Sequence, residues 1–438
     1  MLAGMHEHSG ALGEAVRVVV VGGGASGVLL AARLLDASFA KEVHVSIVEP
    51  SGRLAAGVAY GTDDPEHLLN VRASGMSADP SRPSDLVDWM AARGLGGPDT
   101  FLPRREFREY LLQHLELAAA RAQLGSLDVL QDQVVALEPS SGSSSGPTQV
   151  RLSSGKALTA DFVVLAIGNP APGIPDSLKS LAGTTGWVPD PWAPEALQGL
   201  QGKQRIALVG TGLTMADVAL TLSRQSTVSK QLKLIALSRN GLLPKRHLVK
   251  QPQRPMQVID LAQDAKDVLS LQAKIHARIQ DQVGAEYPDE NWREVIDAIR
   301  PFANALWRRF DDTQQSIFLS RVLRDWDVHR HRMSPPTAGR LAGLISAGVM
   351  TTHVGQVLHA ANSPEGEIDL GVEMNGSPEQ LCVDAVVNCT GPGRSWLPPA
   401  NPVVTDLMSR GLAQPDPHGL GLMTTAQGSL LGQDGLPV

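Results

Sequence analysis

Residues 17–27, Arg-Val-Val-Val-Val-Gly-Gly-Gly-Ala-Ser-Gly, limit the possible folds more than any other stretch. Consecutive valines at 18–21 suit a strand covered on both faces, because a half-exposed strand alternates apolar with polar. Gly22, Gly24 and Gly27 follow at once in the order G-x-G-x-x-G, and residues 28–35 read as a helix. Each glycine answers a separate steric need. Gly22 makes a tight turn, Gly24 lets main chain approach a pyrophosphate, and Gly27 lets helix pack on strand. The helix start at Ala25 and Ser26 offers N–H groups and the positive end of the helix dipole to phosphate. Residues 43–48 read as a second strand ending in Glu49, where an acid can hold a ribose hydroxyl. This order of elements indicates a dinucleotide site.

A chain of 438 residues exceeds one compact core, so roughly two or three domains are expected. Its net charge is −7 and it has no basic block, which argues against a nucleic-acid partner. The first 15 residues lack a cationic start with an apolar run, so no secretory signal is read. The longest apolar stretch, from Val18 into the helix, is broken by glycines and too short to span a bilayer. A cytoplasmic protein with no membrane segment is expected. The two cysteines, Cys382 and Cys389, have neither redox-dithiol nor zinc spacing and read as small core residues. No metal site is expected.

After Glu49 comes a turn containing Arg53. Residues 57–79 are glycine-rich and aperiodic yet apolar, which suits a loop of a cofactor pocket. Within it, Asn70 is a candidate to orient substrate or touch a cofactor ring. His67 is a candidate for proton transfer, although a hydrogen bond within its own loop explains it more simply. Tyr60 fits either pocket or loop packing. Residues 84–93 and 104–122 read as helices. Residues 127–138, which include Val135, read as a strand, followed by a Ser/Gly-rich loop and further strands up to a buried one at 162–167 that stops at Gly168. A similar series recurs at 355–361, 371–373 and 383–388 and closes on Gly391. A glycine at such an end lets main chain come close to a ligand.

A second candidate cradle lies between these copies. Residues 205–209 read as a strand, followed by Gly210-Thr-Gly212-Leu213-Thr214-Met-Ala216. The next strand, 232–237, ends in Ser238-Arg239, with no acid to meet a 2′-hydroxyl. A serine and an arginine suit a 2′-phosphate, so NADPH is expected over NADH. Residues 257–333 read as helical. Two Rossmann-like units without a dithiol imply electron transfer from a nicotinamide to a second dinucleotide, FAD. The expected fold is therefore α/β, with two dinucleotide-binding domains and a helical insertion. The expected divisions are an FAD-binding domain (1–185), an NAD(P)H unit (186–256), a helical cap (257–340), and strands returning to the first domain (341–438).

The glycine pattern, G-V-A-Y-G-T-x-x-P-E-H-L-L-N-V at 57–71, S-R-N-G-L-L-P-K-R-H at 238–247 and W-D-V-H-R-H-R-M-S-P at 326–335 resemble one family. It is the group of FAD/NAD(P)-binding proteins that includes FAD-dependent urate hydroxylases and asparagine/aspartate N-monooxygenases. The resemblance implies that NADPH reduces FAD and that oxygen is then passed to a nitrogen or carbon of a small substrate. It favours a urate-like purine over an amino acid. A flavin reductase and a non-catalytic nucleotide-binding protein are the rival readings. Arg72 stands where the family usually has proline. Family members also continue beyond the equivalent of Val438 into a flavin-contacting segment, which the resemblance implies is missing. Lys245, Arg246 and His247 could steer anions or form a solvated run. His329–Arg332 reads as a tie between cap and flavin domain, or else as an anion site. Trp187–Trp192 reads as a packed hinge.

Overall fold

The computed structural model describes residues 15–37, 41–139, 146–226, 232–249, 267–281, 288–363, 366–393 and 401–438. Residues 140–145 of the Ser/Gly-rich loop, and 257–266 and 282–287 of the expected helical stretch, lie outside them.

The first unit runs β1 (Val16–Val21), α1 (Ala25–Asp36), β2 (Val43–Val48), a short α2 (Gly57–Tyr60), α3 (Asp85–Ala91), α4 (Arg104–Arg121) and β3 (Gly125–Leu130). A small antiparallel sheet follows, β4 (Val134–Glu138), β5 (Thr148–Leu152) and β6 (Ala157–Ala160), and then β7 (Phe162–Leu165). The main sheet has the order β3-β2-β1-β7, all parallel. Its centre explains the valine run. Side chains alternate across a strand, so Val18 and Val20 join the core under α1 and α4, while Val19 and Val21 join a second core on the other face.

The second unit runs β8 (Trp187–Val188), β9 (Arg205–Val209), α5 (Leu213–Gln225) and β10 (Lys233–Ser238). Helices follow: α6 (Val268–Asp281), α7 (Pro288–Ile299), α8 (Ala303–Arg309), α9 (Asp312–Ile317), α10 (Leu323–Arg330) and α11 (Pro335–Ser346). The unit ends with β11 (Met350–Asn362), β12 (Ile368–Met374), β13 (Ser377–Val383) and β14 (Ala385–Asn388). Its sheet order is β13-β12-β11-β10-β9-β14-β8. Within its parallel part, β11-β10-β9-β14 repeats the third-second-first-last order of β3-β2-β1-β7, and β8 adds one more parallel strand beyond β14. The helical insertion therefore occupies the place, between second and third strands, that the 57–103 loop and α3 occupy in the first unit.

The expected division at 341–438 needs correction. β11 pairs with β10 and β14 with β9, while β12 and β13 extend the sheet outward from β11, so all four complete the second sheet and do not return to the first. The chain rejoins the first unit with α12 (Pro402–Ser409), whose Val403, Val404 and Leu407 are buried against β4 and β1. Likewise 127–138 is two strands in two sheets, because the chain turns at 131–133 between β3 and β4. The two crossings between units touch: Gly393 N donates to Pro170 O at 3.2 Å, and buried Asn388 donates to Gly173 O at 3.1 Å. Among the described residues no helix is long and apolar enough to cross a membrane, and no group of residues could hold a metal ion.

Candidate dinucleotide sites

β1 turns through Gly22, whose φ of +107° is a conformation that L side chains rarely adopt. A Cβ there would come 2.4 Å from Ala166 O, and one on Gly27 would come 2.1 Å from Gly22 O. These glycines are closed against the protein's own backbone. Gly24 differs, since the nearest atom to a Cβ built on it is Gly57 Cα, at 3.8 Å. Gly24 also caps α1 with no side-chain hydrogen bond, so the N–H groups at Ala25 and Ser26 are not capped by a side chain. Such groups are the donors a pyrophosphate accepts. Gly168, at φ +70° with open space around it, stands just beyond β7.

Half-buried Glu49 holds this loop together. Its Oε2 accepts from Gly23 N at 2.8 Å, and its Oε1 from Ser51 N at 3.0 Å and Ser51 Oγ at 2.6 Å. A carboxylate offers about four acceptor positions, so one remains for a ribose hydroxyl. Val135 is the extra residue of a bulge between Val134 and Ala136, which leaves its main chain outside the strand ladder. Arg53 pairs with Asp63 at 3.2 Å in solvent. The residues present thus fit a flavin dinucleotide, with an open glycine, an uncapped helix start and a partly free acid.

The second cradle repeats this geometry. Gly210 has φ +110°, and a Cβ there would meet Cys389 O at 2.4 Å. Gly212 caps α5 without a side-chain hydrogen bond and has nothing within 4 Å of its would-be Cβ. Leu213 and Thr214 begin that helix, half-buried. Gly391, open at φ +88°, follows β14. Because β14 pairs with β9, Gly391 emerges beside Gly210, whereas Gly168 emerges beside Gly22; the two do not converge on one cradle. Ser238 Oγ lies 2.7 Å from Thr211 Oγ1 and accepts from Gly241 N at 3.1 Å, so it shapes the loop. Arg239 is exposed. One residue of this loop's setting was missed from sequence. Arg324 of α10 donates to Thr211 Oγ1 at 3.2 Å and to Leu242 O, tying the insertion to the cradle. No periodic pattern marks it among the many arginines of the insertion.

His67 lies in a buried clasp between the units. Its Nε2 is 2.9 Å from Thr221 Oγ1 and its Nδ1 is 2.7 Å from Thr62 Oγ1. Thr221 also donates to Asp64 at 2.7 Å, and Arg224 pairs with the same carboxylate. Beside it, Arg104 Nη2 lies 2.7 Å from Asp217 Oδ2, both buried, with Trp192 packed on Arg104 and His67. Burial pushes the Asp217 carboxyl up, opposed by the Arg104 guanidinium. The packed role expected of Trp192 is met here. A carboxylate inside the apolar run Met-Ala-Asp-Val-Ala-Leu was the signal that could have revealed this pair.

Half-buried Asn70 follows this clasp, and its carbonyl accepts from His247 Nε2 at 2.9 Å. Arg72 is buried, pairs with Asp99 at 2.8 Å, donates to Leu248 O and lies over Phe101. Tyr60 packs on Phe107, with ring centroids 4.9 Å apart. The 245–247 segment is a paired one: Lys245 N donates to Val328 O, and His247 N to Met333 O. Arg332 is buried and forks onto Asp297, with both distances 3.0 Å.

Burial and the neighbouring Arg332 hold the His247 imidazole down at about 4. The unfolded chain takes up this proton near pH 6.5, the folded one only near 4. The neutral contact therefore contributes fully above about pH 6.5 and is lost as pH falls toward 4, by at most about 3 kcal/mol. His247→Asn should flatten the melting temperature's fall over that window. A wild-type and variant fall of equal slope would exclude His247 as its source.

Residues 19–170 match a protein-family model described as FAD-NAD(P)-binding. No match was found among curated proteins. Among solved structures, L-lysine 6-monooxygenase from Pseudomonas syringae is 15% identical with a TM-score of 0.55, covering 95% of this chain and 87% of that one. Ornithine N-hydroxylase from Kutzneria, determined with reduced FAD, NADP+ and L-ornithine, is 17% identical with a TM-score of 0.51, covering 96% and 88%. The reduced form of ornithine hydroxylase from Pseudomonas aeruginosa is 15% identical with a TM-score of 0.51, covering 90% and 86%. At such identities the likeness is one of fold: a mixed α/β chain with two Rossmann-like sheets, the first matching an FAD-NAD(P)-binding family, shares the architecture of these monooxygenases.

Proposed function

We propose that the chain is an FAD- and NADPH-dependent monooxygenase acting on a small nitrogen-containing substrate. The observation that carries this reading is the duplicated cradle. Each unit pairs a closed glycine turn with an open glycine and an uncapped helix start. No cysteine pair stands between them: Cys389 is buried and Cys382 contacts Glu367. The first unit takes FAD and the second NADPH.

Bound FAD supplies the hydride acceptance and oxygen activation that side chains lack. The chain's own residues bind and orient. Main-chain N–H groups at Gly24, Ala25 and Ser26 hold one pyrophosphate, and those at Gly212, Leu213 and Thr214 hold the other. Glu49 would accept a ribose hydroxyl, the main chain left outside the ladder at Val135 would be open to the cofactor, and exposed Arg239 would pair with a 2′-phosphate. Gly168 and Gly391 let the ligands pass close to the strand ends. Residues 57–72, with Asn70 at their pocket end, shield the reacting centre from water. His67 fixes this loop against α5 and moves no proton.

The purine implied by the sequence resemblance and the amino acids named for the fold's neighbours are the two arms of the test. The flavin-loaded protein is mixed with NADPH and oxygen, then with urate, ornithine, lysine, aspartate or asparagine. One compound should speed NADPH oxidation at least about tenfold, equivalent to roughly 1.4 kcal/mol of barrier, and suppress peroxide release. Peroxide equal to NADPH consumed, unchanged by every compound, would establish the reductase reading instead.

A further inference from the structure

The helical insertion holds a partly open cavity of about 260 Å³ that neither cradle uses. Its interior is apolar: Leu271, Ile299 and Leu306 form a small core, and Trp307, Phe310 and Trp326 wall it. An engineered cavity of about 150 Å³ already holds benzene, so this space suits a bicyclic ring or a chain of roughly eight carbons. A mainly apolar space of this size inside so small a helical core leaves aromatic surfaces facing water, which an apolar guest would displace.

Polar groups occur at the more exposed rim. Asp325 is 38% exposed, with His276 Nε2 at 3.3 Å from one carboxylate oxygen and His329 Nδ1 at 3.4 Å from the other. The chemistry of this rim is one-sided. His329 Nδ1 also lies 2.8 Å from Asp325 O, and a carbonyl only accepts, so Nδ1 carries the proton and Nε2 is an acceptor in the neutral ring. His276 Nε2 donates to Asp325, leaving its other nitrogen an acceptor. Among the described residues no lysine or arginine lines the cavity, and Asp325 is the one carboxylate. Arg324, next in sequence, faces away toward Thr211 and Leu242.

From this arrangement we infer that the insertion binds a small amphipathic amine. Its apolar body fills the space between Trp307 and Trp326, and its ammonium group donates to Asp325 at the rim. A carboxylate of the same length would meet the like charge of Asp325, with only the neutral amides of Gln272 and Asn304 to donate to it. Indole faces add an attraction for the cation that a neutral alcohol lacks. The site requires neither dinucleotide, so it stands or falls apart from the redox reading.

The test uses the full chain, with n-octylamine, n-octanol and octanoate, each well below its aggregation concentration, in titration calorimetry and tryptophan fluorescence. Octylamine should bind tightest, octanol more weakly and octanoate weakest. Asp325→Asn should weaken the amine about 10- to 100-fold, the range for a hydrogen bond to a charged group, and leave octanol unchanged. Ala303→Phe, which adds a ring at the cavity wall, should abolish all binding. Octanoate binding as tightly as octylamine, or no ligand binding at all, would overturn the inference. So would an amine affinity indifferent to Asp325→Asn in a variant that keeps its circular dichroism. Should that variant misfold, the ligand order on the unaltered chain decides.

Discussion

Gly24→Leu is expected to leave the protein folded and nearly colourless. The nearest atom to a Cβ at Gly24 is Gly57 Cα, at an ordinary van der Waals distance of 3.8 Å, so the new Cβ displaces no backbone and the substitution should move the melting temperature by under about 2 °C. It would nevertheless fill the space above the first turn of α1, where main-chain donors would receive a pyrophosphate. FAD affinity should fall at least about 100-fold, or roughly 2.8 kcal/mol. Gly22→Ala makes the opposite comparison. There the cost is structural, from a backbone at φ +107° and a carbonyl 2.4 Å from the new carbon, with about 1–3 kcal/mol from the dihedral alone. Gly212→Leu should copy the Gly24 result for NADPH while flavin is retained. Visible absorbance after desalting, and NADPH titration of the variants, read both outcomes. Undiminished FAD uptake by a folded Gly24→Leu protein would remove the first cradle from the cofactor's path.

The second large effect is expected at the clasp. Arg104→Ala strands Asp217 in a buried site, and removing one member of such a pair typically costs about 3–5 kcal/mol. The melting temperature should drop by about 10 °C. Pairing it with Asp217→Leu removes the uncompensated charge and should recover most of the loss. The double substitution therefore separates the ion pair's net worth from the penalty of a lone buried carboxylate. A single Arg104→Ala variant within about 1 kcal/mol of wild type would show that Asp217 takes up a proton at little cost and that the packing of Trp192 holds the units.

Local rules made the two cradles legible, because a β-branched run covered on both faces and glycines at fixed offsets are short-range signals. The same held for α4 and for the small sheet that precedes each closing glycine. Pairing between distant strands was not legible. Nothing in residues 383–388 announces that β14 lies beside β9 and not β1, since an all-apolar strand fits the middle of either sheet. His67 was ambiguous for a related reason. Its partners Thr221 and Asp217 are over 100 residues away, and only the packed structure shows that its nitrogens are taken up. The rim of Asp325, His276 and His329 was equally hidden, because α6 and α10 meet through packing that no spacing encodes.

The return of the chain as α12 has a bearing on how the molecule is made. Val403, Val404 and Leu407 complete the core that the small sheet β4–β6 builds on one face of β1, so that core stays open at its β4 side until the last part of the sequence leaves the ribosome. The second unit, continuous from Trp187 to Asn388, has no such wait. The last core to close in synthesis is therefore the one in the unit that is made first.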